Sequence, residues 1–235
     1  MKRSVLGQLN IERADRALEA HSAMMTSDLI DCLVGDRLPR TMRLTSRFWL
    51  ALGLGVLAAA VLFMVGVGPR SDFVMAIHTL RFDLKFVETL ALASATVLLC
   101  FRLMRPDARI GTLGLCLAAP CLLLGMAGVT ELFLVPSAVW KAKMIGVNSL
   151  KCLTLIPLLS IPPLIAVIYA IREGATRHPA LSGALAGASA AGIAATLYAS
   201  NCTDDSPLFV AIWYPSATLI VVSFGAVAGR WLLRW

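Results

Sequence analysis

Two cysteines and a short acidic run are the residues in this sequence best suited to chemistry. Cys152 lies in Lys151-Cys152-Leu153-Thr154, and Cys202 follows fifty residues later in Asn201-Cys202-Thr203-Asp204-Asp205-Ser206-Pro207. Thiols are soft ligands, and as thiolates they are nucleophiles, so two that meet in the fold form either a disulfide or a site for a transient soft metal ion. Asp204 and Asp205 would lend oxygen ligands or polar support, and His78 a nitrogen if its loop folds over them. A plainer reading stands beside this one: residues 202–206 are only a polar turn, Pro207 opens the next helix, and Asp205 or Ser206 caps it. No catalytic residue is expected. The chain has no C-x-x-C, no H-E-x-x-H and no glycine-rich phosphate loop, so the usual templates for thiol exchange, zinc hydrolysis and nucleotide binding are missing.

The elements that would carry these residues are long and apolar. Residues 150–171 and 180–200 each have about the 20 residues that a helix needs to cross a hydrocarbon core. Two antiparallel crossings joined by the turn Arg172-Glu173-Gly174-Ala175-Thr176-Arg177-His178-Pro179 return the chain to its starting side, which puts Cys152 and Cys202 at one end. Four further runs, 48–68, 86–103, 111–135 and 208–229, complete an expected all-α bundle of six transmembrane helices. Pro157, Pro162 and Pro163 lack the backbone donor a helix needs, so the fourth helix is expected to break or kink near Ser160. Gly183-x-x-x-Gly187 in the fifth suits close packing, first against a helix of the same chain. Lys85 and Glu88, three residues apart at the start of the second helix, are placed to pair or to snorkel to water. Glu131, near the end of the third, is expected at an interface.

With 58% hydrophobic and 15% charged residues, the composition is that of an integral membrane protein rather than a soluble domain. The net charge of +7 reflects basic residues at the ends of apolar runs, which orients helices in a bilayer, and nucleic acid is not an expected partner. Of the 21 Lys and Arg, 15 fall on the side that holds both termini and 6 on the other. The positive-inside rule then places both termini in the cytoplasm and the two cysteines outside. The first apolar run lacks a small-residue cleavage pattern and is expected to stay as an anchor. Residues 1–47 form a polar, cytosolic tail. Within it Ser27 is suited to cap a short helix in which Leu29, Ile30, Leu33 and Val34 share one apolar face. Two turns are too short to stand alone in water, so that face is expected to need a partner.

Several separated motifs resemble one family in order: Arg81-Phe82, Lys85-Phe86, Arg105-Pro106, Asn148-Ser149 with Cys152-Leu153, Ile156-Pro157-Leu158-Leu159-Ser160-Ile161-Pro162-Pro163, His178-Pro179-Ala180, Tyr198, Cys202, Asp204-Asp205-Ser206-Pro207, Phe209, Trp213-Tyr214 and the closing residues 230–235. They are similar to those of the NrsF family, negative regulators of the extracytoplasmic-function sigma factor SigF. The resemblance covers residues 25–235 and leaves 1–24 as either an extension or the product of a start codon assigned too early. It implies a six-span anti-sigma factor of the bacterial inner membrane that binds such a sigma factor and releases it under oxidative or heavy-metal stress. Cys152 and Cys202 would then be the sensor thiols and Leu29, Ile30, Leu33 and Val34 the sigma-binding face. The residue before the second cysteine, often His in that family, is Asn201 here, which favours thiols over a Cys/His metal site. A small membrane transporter or a membrane thiol-disulfide oxidoreductase is the alternative. Spans almost free of charge at their centres count against the first, and the absence of C-x-x-C against the second.

Overall fold

The computed structural model describes residues 30–31, 40–105 and 111–233. The chain divides into two compact units, residues 1–46 and 47–235. In the first, Ile30 and Asp31 are helical and exposed, while Leu29, Leu33 and Val34, the rest of the expected apolar face, lie outside the described residues.

Every regular element among the described residues is helical. In chain order these are α1 (Arg40–Gly66), the single turn α2 (Phe73–Ala76), α3 (Leu80–Leu103), a 3-10 segment (Gly111–Leu117) that leads into α4 (Ala118–Leu134), a 3-10 turn (Ser137–Val139) before α5 (Trp140–Ile145), then α6 (Ser149–Arg172), α7 (Pro179–Ala199) and α8 (Pro207–Leu232). Among the described residues, six helices are long and apolar enough to cross a membrane. They correspond to the six expected runs, with α3 starting six residues earlier than the apolar pattern alone indicated, so that Lys85 and Glu88 lie inside the helix rather than at its mouth.

The expected break in α6 is not found. The helix runs without interruption from Ser149 to Arg172 through Pro157, Pro162 and Pro163. Each proline removes only its own donor, and the ladder on either side holds. Ser160 Oγ turns back onto the Ile156 carbonyl at 2.7 Å, the usual way a small hydroxyl satisfies itself in an apolar helix. The prolines serve packing instead: a Cβ added at Gly55 of α1 would lie 2.9 Å from Pro163 Cα and 3.3 Å from the Pro162 carbonyl oxygen.

Helix α7 is the most enclosed of the six, and its small residues explain why. Against α8, a Cβ on Gly183 would fall 2.2 Å from the Gly225 carbonyl oxygen, and one on Gly229 would fall 2.6 Å from Gly183 Cα. Gly187 meets the Val221 carbonyl at 2.6 Å in the same sense. Both helices thus contribute a glycine pair at a spacing of four, and backbone meets backbone along the seam. The G-x-x-x-G of α7 is an intramolecular contact, as expected. Its partner Gly225-x-x-x-Gly229 carries the same spacing and belongs to the same seam.

Candidate functional site

The two cysteines reach the same place from different elements. Cys152 sits in the first turn of α6, where its amide donates to the Asn148 carbonyl at 2.8 Å. Cys202 lies just past α7, its amide donating to the Tyr198 carbonyl at 3.0 Å. Both side chains are free thiols, and both belong to one core cluster with Phe63, Ile156, Leu159, Tyr198, Phe209, Val210 and Tyr214. They are brought together, and neither is open to solvent: Cys152 is 0% and Cys202 1% exposed. The sequence located the end of the bundle and not the depth, because helical length fixes the first while the fold of the 200–206 loop fixes the second. Burial pushes the Cys202 thiol above the ordinary thiol range, an effect that the nearby Lys85 ammonium partly offsets.

That loop is tied down by charge. Lys85, 2% exposed, points from α3 into the loop, where its ammonium donates to the Cys202 carbonyl at 3.0 Å, the Asp204 carbonyl at 3.4 Å and the Asp205 carboxylate. Arg70 approaches from the α1–α2 connection, donating to the same Cys202 carbonyl at 3.3 Å and to Asp205 Oδ2 at 3.0 Å, while its Nε holds Asp72 at 2.6 Å. Asp72 and Asp205 keep the guanidinium protonated well above even its usual high value, and Arg70 in turn holds the Asp72 carboxyl below the usual carboxylate range. Both cations lie within 6 Å of the Phe82 ring centre, a favourable place for a charge with little water around it. Of the two arrangements open to Lys85 and Glu88, pairing or snorkelling to water, Lys85 takes neither. Lys85 is satisfied inward by three oxygens, and among the described residues Glu88 has no hydrogen bond or ion pair.

Asp204 anchors the loop on its other side. Its Oδ2 accepts from the Val147 amide at 3.0 Å, the Asn148 amide at 2.8 Å and Asn148 Nδ2 at 2.9 Å, so the carboxylate closes the start of α6 from across the turn. Gly146 makes this possible. It adopts φ +59°, and a Cβ there would lie 2.4 Å from the Phe209 ring and 2.9 Å from Asp204 Cγ. Asp204 and Asp205 are thus polar supports of the Cys202 loop, with Asp204 Oδ2 and both Asp205 oxygens engaged by protein donors. Neither caps α8. Ser206 occupies the N-cap position without a side-chain bond, and its buried hydroxyl has no partner among the described residues.

The sequence profile described as "Negative regulator of sigma F", the NrsF family, matches residues 33–235. The chain belongs to this family. It is 33% identical over 217 residues to the anti-sigma-F factor NrsF of Caulobacter vibrioides, and 29% identical over 215 residues to the probable anti-sigma-F factor NrsF of Azospira oryzae. Each alignment takes in 90% of this chain and the whole of the relative. No solved structure matches.

Two other residues named from the sequence have definite surroundings in this NrsF-family chain. His78 is exposed on the turn after α2, and among the described residues no three His, Cys, Asp or Glu side chains gather as a metal set. A soft ion here would have the two sulfurs and no nitrogen. Glu131 lies three residues before the end of α4 and is 3% exposed, accepting from Arg81 at 2.8 Å and Lys143 at 3.0 Å, an ion-pair cluster that the sequence did not signal. Lys85 and Arg70, the cations that hold the Cys202 loop, were also not among the expected site residues. Position in a connecting loop hid Arg70; Lys85, read as lying just before the second apolar run and free to pair or to snorkel, is enclosed because α3 starts at Leu80. Tyr198 donates at 3.4 Å to the same Asn148 carbonyl that starts α6, and Tyr214 completes the cluster.

Proposed function

We propose that this chain is an anti-sigma factor held in the bacterial inner membrane by its six helices, with both termini in the cytoplasm, and that Cys152 and Cys202 are its stress sensor. The observation that carries this reading is the convergence of two free thiols, from separate elements, in one buried cluster whose covering loop is held by Lys85, Arg70 and Asp205. The relatives' names supply the partner, a sigma factor, here of the extracytoplasmic-function type. Leu29, Ile30, Leu33 and Val34 are the proposed binding face.

Two chemistries suit such a pair. A soft divalent ion takes both sulfurs as two protons leave to solvent. Alternatively, a peroxide oxidises one thiol to a sulfenic acid with release of water, and the second thiol displaces a second water to leave a disulfide. Either product changes how the 200–206 loop sits on α6, and through it the α7–α8 pair. Moving a bound fraction from about 99% to 1% needs roughly 5.5 kcal/mol of differential stability. A two-electron difference of about 30 mV already corresponds to roughly 1.4 kcal/mol, so a potential gap near 120 mV suffices.

The test is a transcriptional reporter for the sigma factor in cells that carry the double substitution Cys152→Ser, Cys202→Ser. The expected result is loss of induction by cadmium and peroxide with basal repression retained. Unchanged induction overturns the sensor assignment. Failure of the full-length chain to co-purify with the sigma factor overturns the anti-sigma assignment itself.

A further inference from the structure

One hydroxyl in the thiol cluster has nothing to bind. Tyr214 of α8 is 3% exposed and belongs to the core group that holds Cys152 and Cys202, yet its buried phenol oxygen has no hydrogen-bond partner among the described residues. Tyr198 of α7, whose ring centre lies 6.2 Å from that of Tyr214, is engaged: its hydroxyl donates to the Asn148 carbonyl. A buried hydroxyl that bonds to nothing has lost its water and gained no partner, so a phenylalanine would fill the same space at lower free energy. Phe63 and Phe209 fill neighbouring parts of this cluster in that way. The oxygen of Tyr214 therefore points to an acceptor that forms only in another state of the site.

The cluster holds a group that can become such an acceptor. A neutral thiol accepts weakly, whereas a thiolate is a charged acceptor that takes a strong bond from an O–H donor. Both sulfurs lie within electrostatic reach of the Tyr214 hydroxyl, Cys202 foremost. Other titratable groups face the same space: Lys85 and Glu88 from α3, Cys152 from α6, Tyr198 from α7, Asp204 and Asp205 from the loop, and Arg70 behind them. Lys85 is already bound to the Cys202 carbonyl, and the two aspartates are held by their own donors, whereas the O–H of Tyr214 is uncommitted. Resting on the thiol-sensor reading above, we propose that Tyr214 donates its O–H to the Cys202 thiolate and so sets how readily that sulfur ionises and reacts. The thiol releases its proton to solvent while the phenol keeps its own. The thiolate is then the nucleophile toward a peroxide, or the ligand of a soft cation.

The experiment titrates the reduced full-length protein in lipid discs. The ultraviolet thiolate absorbance of Cys202 is isolated as the difference between each protein and its Cys202→Ser counterpart. Tyr214→Phe removes one oxygen and no hydrogen bond of the resting fold, so thermal stability at neutral pH should equal or exceed that of the wild type. The Cys202 midpoint should move up by about one pH unit, a tenfold loss of thiolate at any pH well below it. An unmoved midpoint overturns the proposal. A lower stability does so too, because it would give the hydroxyl a purely structural partner in the resting fold. If Tyr214→Phe does not fold, the wild type decides alone: with an isotope label in Tyr214, the infrared C–O stretch of the phenol should shift as Cys202 ionises. No shift, or a shift that persists in Cys202→Ser, overturns the donor. These titrations read the proton affinity of one sulfur and not induction. Loss of the donor leaves the sensor assignment to the reporter, and unchanged induction in the double cysteine variant leaves the Tyr214–Cys202 bond measurable.

Discussion

The two ends of the helix bundle are held by different physics. At the α7–α8 seam, glycine lets backbone touch backbone, and dispersion over a close-packed face does the work. At the thiol end, a loop with no regular structure is held from three directions: by the Lys85 ammonium from α3, by the Arg70 guanidinium from the α1–α2 connection, and by the Val147 and Asn148 amides at the start of α6, which donate to Asp204. A glycine seam has no partial setting, because any added carbon must displace backbone. A set of charge-assisted bonds can be weakened one at a time. The adjustable end is the end that contains the reactive groups.

The sharpest way to break the comparison is to give the seam a side chain. Gly183→Leu would put its Cβ 2.2 Å from the Gly225 carbonyl oxygen, and a loss of about 3 kcal/mol or more is expected, measured as unfolding in mixed micelles. Retained stability there would mean the seam can slide, and the contrast would collapse. At the other end, Lys85→Met keeps the stem and removes three donated bonds. About 2–3 kcal/mol should be lost, less than for a fully enclosed pair because Asp205 keeps Arg70 and is 24% exposed. Alkylation of Cys202 in this variant should become faster as the loop loosens. An unchanged rate would separate the loop's anchoring from thiol access.

The pH dependence sharpens the picture further. Burial raises the Cys202 thiol in the folded state, so its contribution to stability is complete below the ordinary thiol range and is lost as pH rises through the raised value. The pH–rate profile for Cys202 should have its midpoint on the alkaline side of that for a denatured control. A midpoint at or below the control would mean the thiol is ionised in place. The smallest effect is expected at the end remote from the thiols, where Arg47 pairs with Glu173 at 3.0 Å with 62% of the Arg47 side chain exposed. Arg47→Ala should lower stability by less than about 1 kcal/mol, and the difference should vanish in high salt.

How much of this was legible in the sequence follows from which forces leave a pattern. Apolar runs of bilayer length gave all six helices, and small residues at a spacing of four gave the seam on α7, because both are repeated along one element. The convergence of Cys152 and Cys202 followed from matched helix lengths. What stayed hidden depends on single long-range contacts. Nothing near Lys85 in the chain says that it will find Asp205, or that Arg70 will arrive at the same carbonyl. The local rule that pairs Lys85 with Glu88 at a spacing of three pointed the wrong way, because an interior set of three oxygens outweighs one surface partner. Pro157, Pro162 and Pro163 do not interrupt α6: each removes only its own donor, and the bonds on either side carry the helix on.

The depth of the two sulfurs also fixes the tempo of their chemistry. A group sealed behind packed side chains reacts only during excursions that uncover it, so raising the dose of a large reagent eventually stops helping, and the observed rate levels off at the frequency of those excursions. A sensor of the proposed kind, built on these two thiols, would ignore brief pulses and sum long exposures.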